Sequence, residues 1–122
     1  MAKTPLPFDP ADCPVRDVLD RLGDQWSLLT LLTLESRIWR FNELNREIAD
    51  ISRQMLAKTL RRLEEDGFVT RTIHAEVPPR VEYALTDLGR SVLGPVKALM
   101  DWADLNHETI RAARKSYAAA AD

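Results

Sequence analysis

Gln54, Lys58 and Arg61 follow one another at intervals of four and three residues, the spacing that aligns side chains along one helical face at ~100° per residue. Their amide and cationic donors match the hydrogen-bonding edges of adenine and guanine, and Ala57 beside them fits against a thymine methyl. Ser52 stands just ahead of this face, and Arg53 and Arg62 border it. The expectation is that Gln54, Lys58 and Arg61 read or approach base edges. Ser52, Arg53 and Arg62, joined by Arg71 and Arg80 further on, would then hold phosphates. The plainer alternative is a solvated helix face, since Lys, Arg and Gln in a row are what any surface helix shows.

Such a face needs a helix to carry it and neighbours to brace it. Met55, Leu56, Thr59, Leu60 and Leu63 fall on the opposite side of the same segment, Ser52 is a good N-cap, and Gly67 suits the left-handed position past the C-terminus. Glu64, Glu65 and Asp66 crowd a last turn where the helix dipole favours cations. Upstream, Ser36 to Arg40 reads as a short strand. Phe41, Leu44 and Ile48 then mark another helix, with Asn42, Glu43, Asn45, Arg46 and Glu47 outside, and Ile51 closes the turn. Downstream, Phe68 to His74 alternates, the run Glu76-Val77-Pro78-Pro79-Arg80 breaks the ladder, and Val81, Tyr83 and Leu85 alternate again. This is a hairpin with Arg80 at its tip and Arg71 on a strand. A basic second helix beside an arginine-bearing hairpin is the arrangement that sets a helix in a major groove and a wing on the backbone. An ordinary hairpin covering the core is the alternative.

The rest of the chain supplies scaffold. Residues 1–12 carry three prolines and no hydrophobic period, which predicts an arm. Pro14 is placed for the first turn of a helix whose apolar side is Val15, Val18, Leu19 and Leu22. Gly23 ends it, Asp24 can cap the next, and Trp26, Leu28, Leu29, Leu31 and Leu32 form a segment apolar enough to require burial. After Thr86 a helix through Val92 and Leu93 should break or kink at Gly94-Pro95. A second stretch then presents Val96, Leu99, Met100, Trp102, Ala103, Leu105 and Ile110, with residues 112–121 expected to fray. The first helix (Val15, Val18, Leu19, Leu22) and the late one (Val96, Leu99, Met100, Trp102, Ala103) are assigned to dimerisation, because their apolar surface exceeds what a small domain can cover. Packing of the long helix over its own core is the competing arrangement.

The predicted fold is therefore mainly α with a small β-hairpin. It is a winged helix-turn-helix over residues 13–122, with a DNA-binding core at 37–85 and C-terminal dimerisation helices at 86–116. Its partners would be double-stranded DNA with inverted-repeat half-sites and a second copy of the chain. With 122 residues and a net charge of −2, the molecule as a whole does not attract polyanions, so any such contact is local. One cysteine excludes an internal disulfide and fits a reducing compartment. No segment reaches the roughly 20 apolar residues of a membrane span, and the expected location is the cytoplasm. One Cys and two separated His, His74 and His107, offer neither a catalytic constellation nor metal-ligand spacing. No cofactor or metal is expected. A winged-helix module that grips another protein is the alternative function. An effector site for an aromatic or carbonyl compound near Trp26, Trp39 or Trp102 competes with those rings simply filling the core.

The series RFNEL, then IS with ML and L-x-x-LE-x-DG, then EVPPRVEYALTDLGR and a later Trp, from Cys13 to about Trp102, resembles the HxlR-type bacterial regulators, relatives of the MarR winged-helix proteins. That resemblance implies a small dimeric transcription factor, usually a repressor, on palindromic operators. Members often carry a cysteine before the first helix, in some of them implicated in sensing oxidants or electrophiles, and Cys13-Pro14 matches its place. Where members commonly have Gly-Gly-Lys-Trp, this chain has Gly23-Asp24-Gln25-Trp26. On physical grounds two roles stay open for Cys13. A helix cap favours thiolate, whereas Asp12 and Asp17 oppose ionisation and cysteine is commonly an inert buried hydrophobe.

Overall fold

The structure is a computed structural model that describes residues 13–121; the arm expected over residues 1–12 lies outside them. The described residues form α1 (Pro14–Leu22), α2 (Ser27–Leu34), β1 (Trp39–Arg40), α3 (Phe41–Glu47), α4 (Arg53–Glu65), β2 (Val69–His74), β3 (Arg80–Leu85) and α5 (Asp87–Ala121). Two compact units result among the described residues, 13–90 and 91–121.

In the first unit, four helices converge on leucines. Leu22, Leu31, Leu34, Leu44, Leu56, Leu60 and Leu63 are all nearly or fully buried, with Phe68, Val69 and Trp39 closing the cluster from the sheet side. Each such leucine contributes roughly 1.5–3 kcal/mol. Leu22 therefore belongs to this core and not to the dimerisation face assigned from sequence: it is 4% exposed, against 60% for Val15 and Leu19 on the same helix. The α2 segment, expected to be largely buried, is so at Ser27, Thr30, Leu31 and Leu34, while Leu29 is 46% exposed. Two polar residues of α2 are buried instead, at no cost in unmade hydrogen bonds: the Thr30 hydroxyl donates to the Trp26 carbonyl at 2.8 Å, and the Ser27 hydroxyl donates to the Asp24 carboxylate.

Asp24, expected as the cap of α2, secures its start from two residues ahead of the N-cap, Trp26. Its Oδ1 accepts the amides of Trp26 and Ser27 at 2.8 and 2.9 Å. Burial pushes the carboxyl's pKa up, but the Ser27 hydroxyl, these two amides and the Arg62 charge outweigh it and hold it below the ordinary carboxylate value. A carboxyl depressed in this way lends stability that is complete above its unfolded pKa and lost as pH falls through the folded one. Asp24→Ala should therefore cost about 1 kcal/mol in urea unfolding at neutral pH, a deficit that shrinks below about pH 4. A deficit unchanged in acid would remove the cap from the account.

The sheet has three strands in the order β1-β3-β2: the expected hairpin, joined by Trp39–Arg40 from within the short strand read over Ser36 to Arg40. β3 is central because Trp39 pairs with Tyr83 on one side while Arg71 pairs with Tyr83 on the other. The register runs from Val69↔Leu85 to His74↔Arg80. Arg80 is thus the first residue of the returning strand, not the tip: residues 75–79 make the turn, which includes a cis Val77–Pro78 bond.

The base of the hairpin is fastened to the first turn of α5. The Thr86 amide donates to the Phe68 carbonyl at 3.1 Å, its hydroxyl donates to the Gly67 carbonyl at 2.6 Å, and the Gly89 amide donates back to that hydroxyl at 3.0 Å. The backbone approach is so close that a Cβ on Gly89 would stand 2.1 Å from the Phe68 carbonyl oxygen.

Residues 91–121 continue one helix through Gly94-Pro95, where a break or kink was expected. Pro95 sits inside α5, although proline removes an amide donor and crowds the preceding turn. The apolar stripe Val92, Val96, Leu99, Ala103 keeps its three-to-four-residue phase across Pro95, so continuation preserves one face that a break would divide. The fraying expected over residues 112–121 is absent for a similar reason: that stretch is rich in alanine, the strongest helix former, and remains helical to Ala121. Leu99, Met100, Trp102 and Leu105 are 46–83% exposed, whereas Val96 is 8% exposed and so leaves the set of surface residues assigned to dimerisation.

Candidate nucleic-acid interface

Burial of Leu56, Thr59, Leu60 and Leu63 fixes the rotation of α4 and turns Gln54, Lys58 and Arg61 to solvent. Met55, expected among the buried residues, is 38% exposed and joins Ser52, Gln54, Lys58 and Arg61 around a shallow depression. Ser52 is the N-cap, its hydroxyl accepting the Met55 amide at 3.0 Å. The tight turn into α4 is set by Asp50 at φ 66° and by Asn45, whose amide donates to the Ile51 carbonyl at 3.1 Å. Arg53 joins the two helices: it donates to Asn42 Oδ1 at 2.8 Å and lies 5.0 Å from the Phe41 ring centroid. Glu43 secures the start of α3 by accepting the Arg40 amide at 2.8 Å. That bond, then the one from Arg37, holds its carboxyl below the ordinary range.

Arg62 faces elsewhere. Its guanidinium donates to the carbonyls of Asp20 and Arg21 at 3.3 and 3.4 Å, at the last turn of α1, where a cation complements the dipole. In return Arg21 donates to Asp66 at 2.7 Å and Glu65 at 3.2 Å, and those bonds, Asp66 first, raise its pKa. The acidic end of α4, unfavourable by itself, is thereby answered by Arg21 from α1 and by Arg71 from β2, whose Nε is 3.6 Å from Glu64 Oε1.

The remaining wing arginine is also paired. Arg80 lies 3.3 Å from Glu76 and 3.1 Å from Glu82, and the same Glu82 oxygen is 3.1 Å from His74 Nε2. Between α4 and the wing a recess of about 250 Å³ is lined by Ala57, Arg61, Glu64, Arg71 and Tyr83. Two of these residues escaped the sequence reading. Tyr83 was assigned to the apolar side of an alternating strand, and Glu64 was seen only as a charge on the wrong end of a helix. Burial, reinforced by Glu64 and opposed by Arg71, raises the pKa of the Tyr83 phenol and keeps it a hydrogen-bond donor.

Cys13 is distant from these groups in sequence and sits at the N-cap of α1. It is 8% exposed, and its Sγ accepts the Arg16 amide at 3.4 Å.

A helix-turn-helix with an exposed polar second helix and a three-stranded wing is matched over most of the chain. The family model described as HxlR-like helix-turn-helix matches residues 21–111. The chain belongs to the HxlR-like family. Among HxlR-like relatives, the HTH-type transcriptional regulator YtfH of Escherichia coli (strain K12) is 44% identical over 107 residues, 88% of this chain and 85% of its own. The solved YtfH of Salmonella typhimurium has a TM-score of 0.73 at 42% identity, over 86% of this chain and 94% of that one. The redox regulator HypR in its reduced form has a TM-score of 0.74 at 36% identity, over 82% and 99%. This HxlR-like chain is a DNA-binding transcriptional regulator with a winged helix-turn-helix.

Proposed function

We propose that the chain acts as a homodimeric repressor that lays α4 in successive major grooves of an inverted-repeat operator. Gln54 and Lys58 read bases, Arg61 approaches them from the backbone, and Ser52, Arg53, Arg71 and Arg80 hold phosphates. The observation that carries this reading is the solvent-turned stripe of Gln54, Lys58 and Arg61 on a helix whose opposite side is locked in the core. Arg62 acts through α1: pinned to two carbonyls there, it holds α4 in place and leaves phosphate contact to its neighbours. Twofold pairing is supported by the apolar residues left in solvent on α1, namely Val15, Val18 and Leu19, and on α5, namely Leu99, Met100, Trp102 and Leu105, with Ala103 among them. Surfaces of this kind mark association sites. Half-sites should lie about one helical turn of DNA apart, or a small multiple of that.

Cys13 is the proposed sensor. Its sulfur is placed at the N-cap of α1, where it accepts the Arg16 amide, and the neighbour HypR is a redox regulator. An electrophile or oxidant would be the effector, and the site of action the cytoplasm.

One experiment tests both claims: titration of operator binding with salt, before and after diamide, for the parent protein and Cys13→Ser. Binding should weaken steeply with salt, by a log-log slope of about −0.9 for each phosphate contacted. Diamide should release the parent protein and spare the variant. A salt-independent interaction would remove the DNA interface, and equal release of both proteins would remove the sensor.

A further inference from the structure

We propose that the recess between α4 and the wing is a seat for one backbone phosphate of bound DNA, and that Glu64 occupies its key ligand, Arg71, until the phosphate arrives. The inference rests on the DNA-binding reading and adds two residues to it, Tyr83 and Glu64. Its basis is convergence. Arg61 comes from the outward face of α4, Arg71 from β2, and Tyr83 from β3 directly opposite Arg71 in the register. Two guanidiniums and a phenol from three elements bring charge-assisted and neutral donors to one concavity, the chemistry that recognises a phosphodiester. Ala57 lines the recess without filling it. The volume of about 250 Å³ holds several waters at about 30 Å³ each, room enough for a phosphate group entering with its two ester oxygens.

Glu64 is the odd group in such a site. An acceptor-only carboxylate repels phosphate, yet it contributes to the lining and stands 3.6 Å from Arg71. The side chains are partly open, 46% for Arg71 and 36% for Glu64, so the ion pair between them is weak and a phosphate can displace it. Before DNA arrives the three charged groups sum to +1, and a bound phosphate brings the recess to neutrality. Without Glu64 the arginines stand ready at +2. The carboxylate thus lowers the regulator's hold on every duplex alike, a setting of overall affinity that leaves sequence preference to the base-reading residues.

The test measures binding to a labelled random-sequence duplex and to the fragment upstream of the regulator's own gene, using the full chain. Glu64→Gln should tighten both by about two- to fivefold, the range a partly exposed ion pair allows. The gain should vanish in Glu64→Gln/Arg71→Ala, and Arg71→Ala alone should reduce the salt slope by about 0.9. Tyr83→Phe should weaken both duplexes by a similar factor with no change in melting temperature. If Glu64→Gln gives no gain, or gives the same gain when Arg71 is absent, the seat and its guard are wrong. If the parent protein shows no salt-dependent affinity for either duplex, it is the DNA reading beneath them that fails.

Discussion

Alanine at Gln54 or Lys58 will each weaken operator binding by about 1–3 kcal/mol, about five- to 150-fold, and flatten base preference at one position of each half-site. The size follows from what each side chain would leave behind: a base edge whose donors and acceptors have lost their partner in a site from which water has been pressed out. The wing arginines should behave differently. Arg71 and Arg80 already lie against carboxylates in the free protein, so DNA exchanges one ion pair for another and the net gain is smaller. Alanine there should weaken operator and random duplex alike and lower the salt slope by about one. Anisotropy titrations against the operator and a set of single-base variants separate the two classes. Should Gln54→Ala and Lys58→Ala lose affinity equally on every sequence, α4 holds backbone and does not read bases.

Leu56→Ala will reduce the free energy of unfolding by about 2–5 kcal/mol, a large part of the roughly 5–15 kcal/mol available to a domain of this size. Leu56 is 0% exposed, one residue from Ala57 and two from Lys58 and Gln54 on the outer face. Truncation leaves a cavity in the same core that buries Leu31, Leu34, Leu44 and Leu60, where close packing leaves little room to collapse into it. Urea unfolding should show the loss with an unchanged m-value. Below the melting transition the variant should still bind DNA with the parental salt slope, because no charged group has moved. A loss under about 1 kcal/mol would show that α4 is held mainly by its ends.

Local grammar made the scaffold legible. Pro14 after Cys13, Asp24, Ser52, Gly67 and Thr86 are helix punctuation, and each sits at an element boundary in the structure. Gly67 has the positive φ of 82° that its place past α4 requires. The polar stripe of α4 was readable for the same reason, since one helical period fixes both the buried and the exposed side. What the letters concealed was long-range pairing. Nothing near Trp39 announces Tyr83 as its partner, and Arg21 meets Asp66 across 45 positions. Arg62 looked like a phosphate ligand because its attachment to the carbonyls of Asp20 and Arg21 depends on where α1 packs. Pro95 misled in another way: its local cost was counted, while the uninterrupted apolar phase on either side of it was not.

The two glycines of α5 carry opposite instructions for anyone redesigning the chain. Exchanging a helical glycine for alanine ordinarily stabilises by roughly 0.5–1 kcal/mol, and Gly94, with no atom within 4 Å of where a methyl would go, accepts that bargain. Gly89 inverts it. There the added carbon collides with the Phe68 backbone, so even the smallest substituent must pry the wing's foot away from the helix.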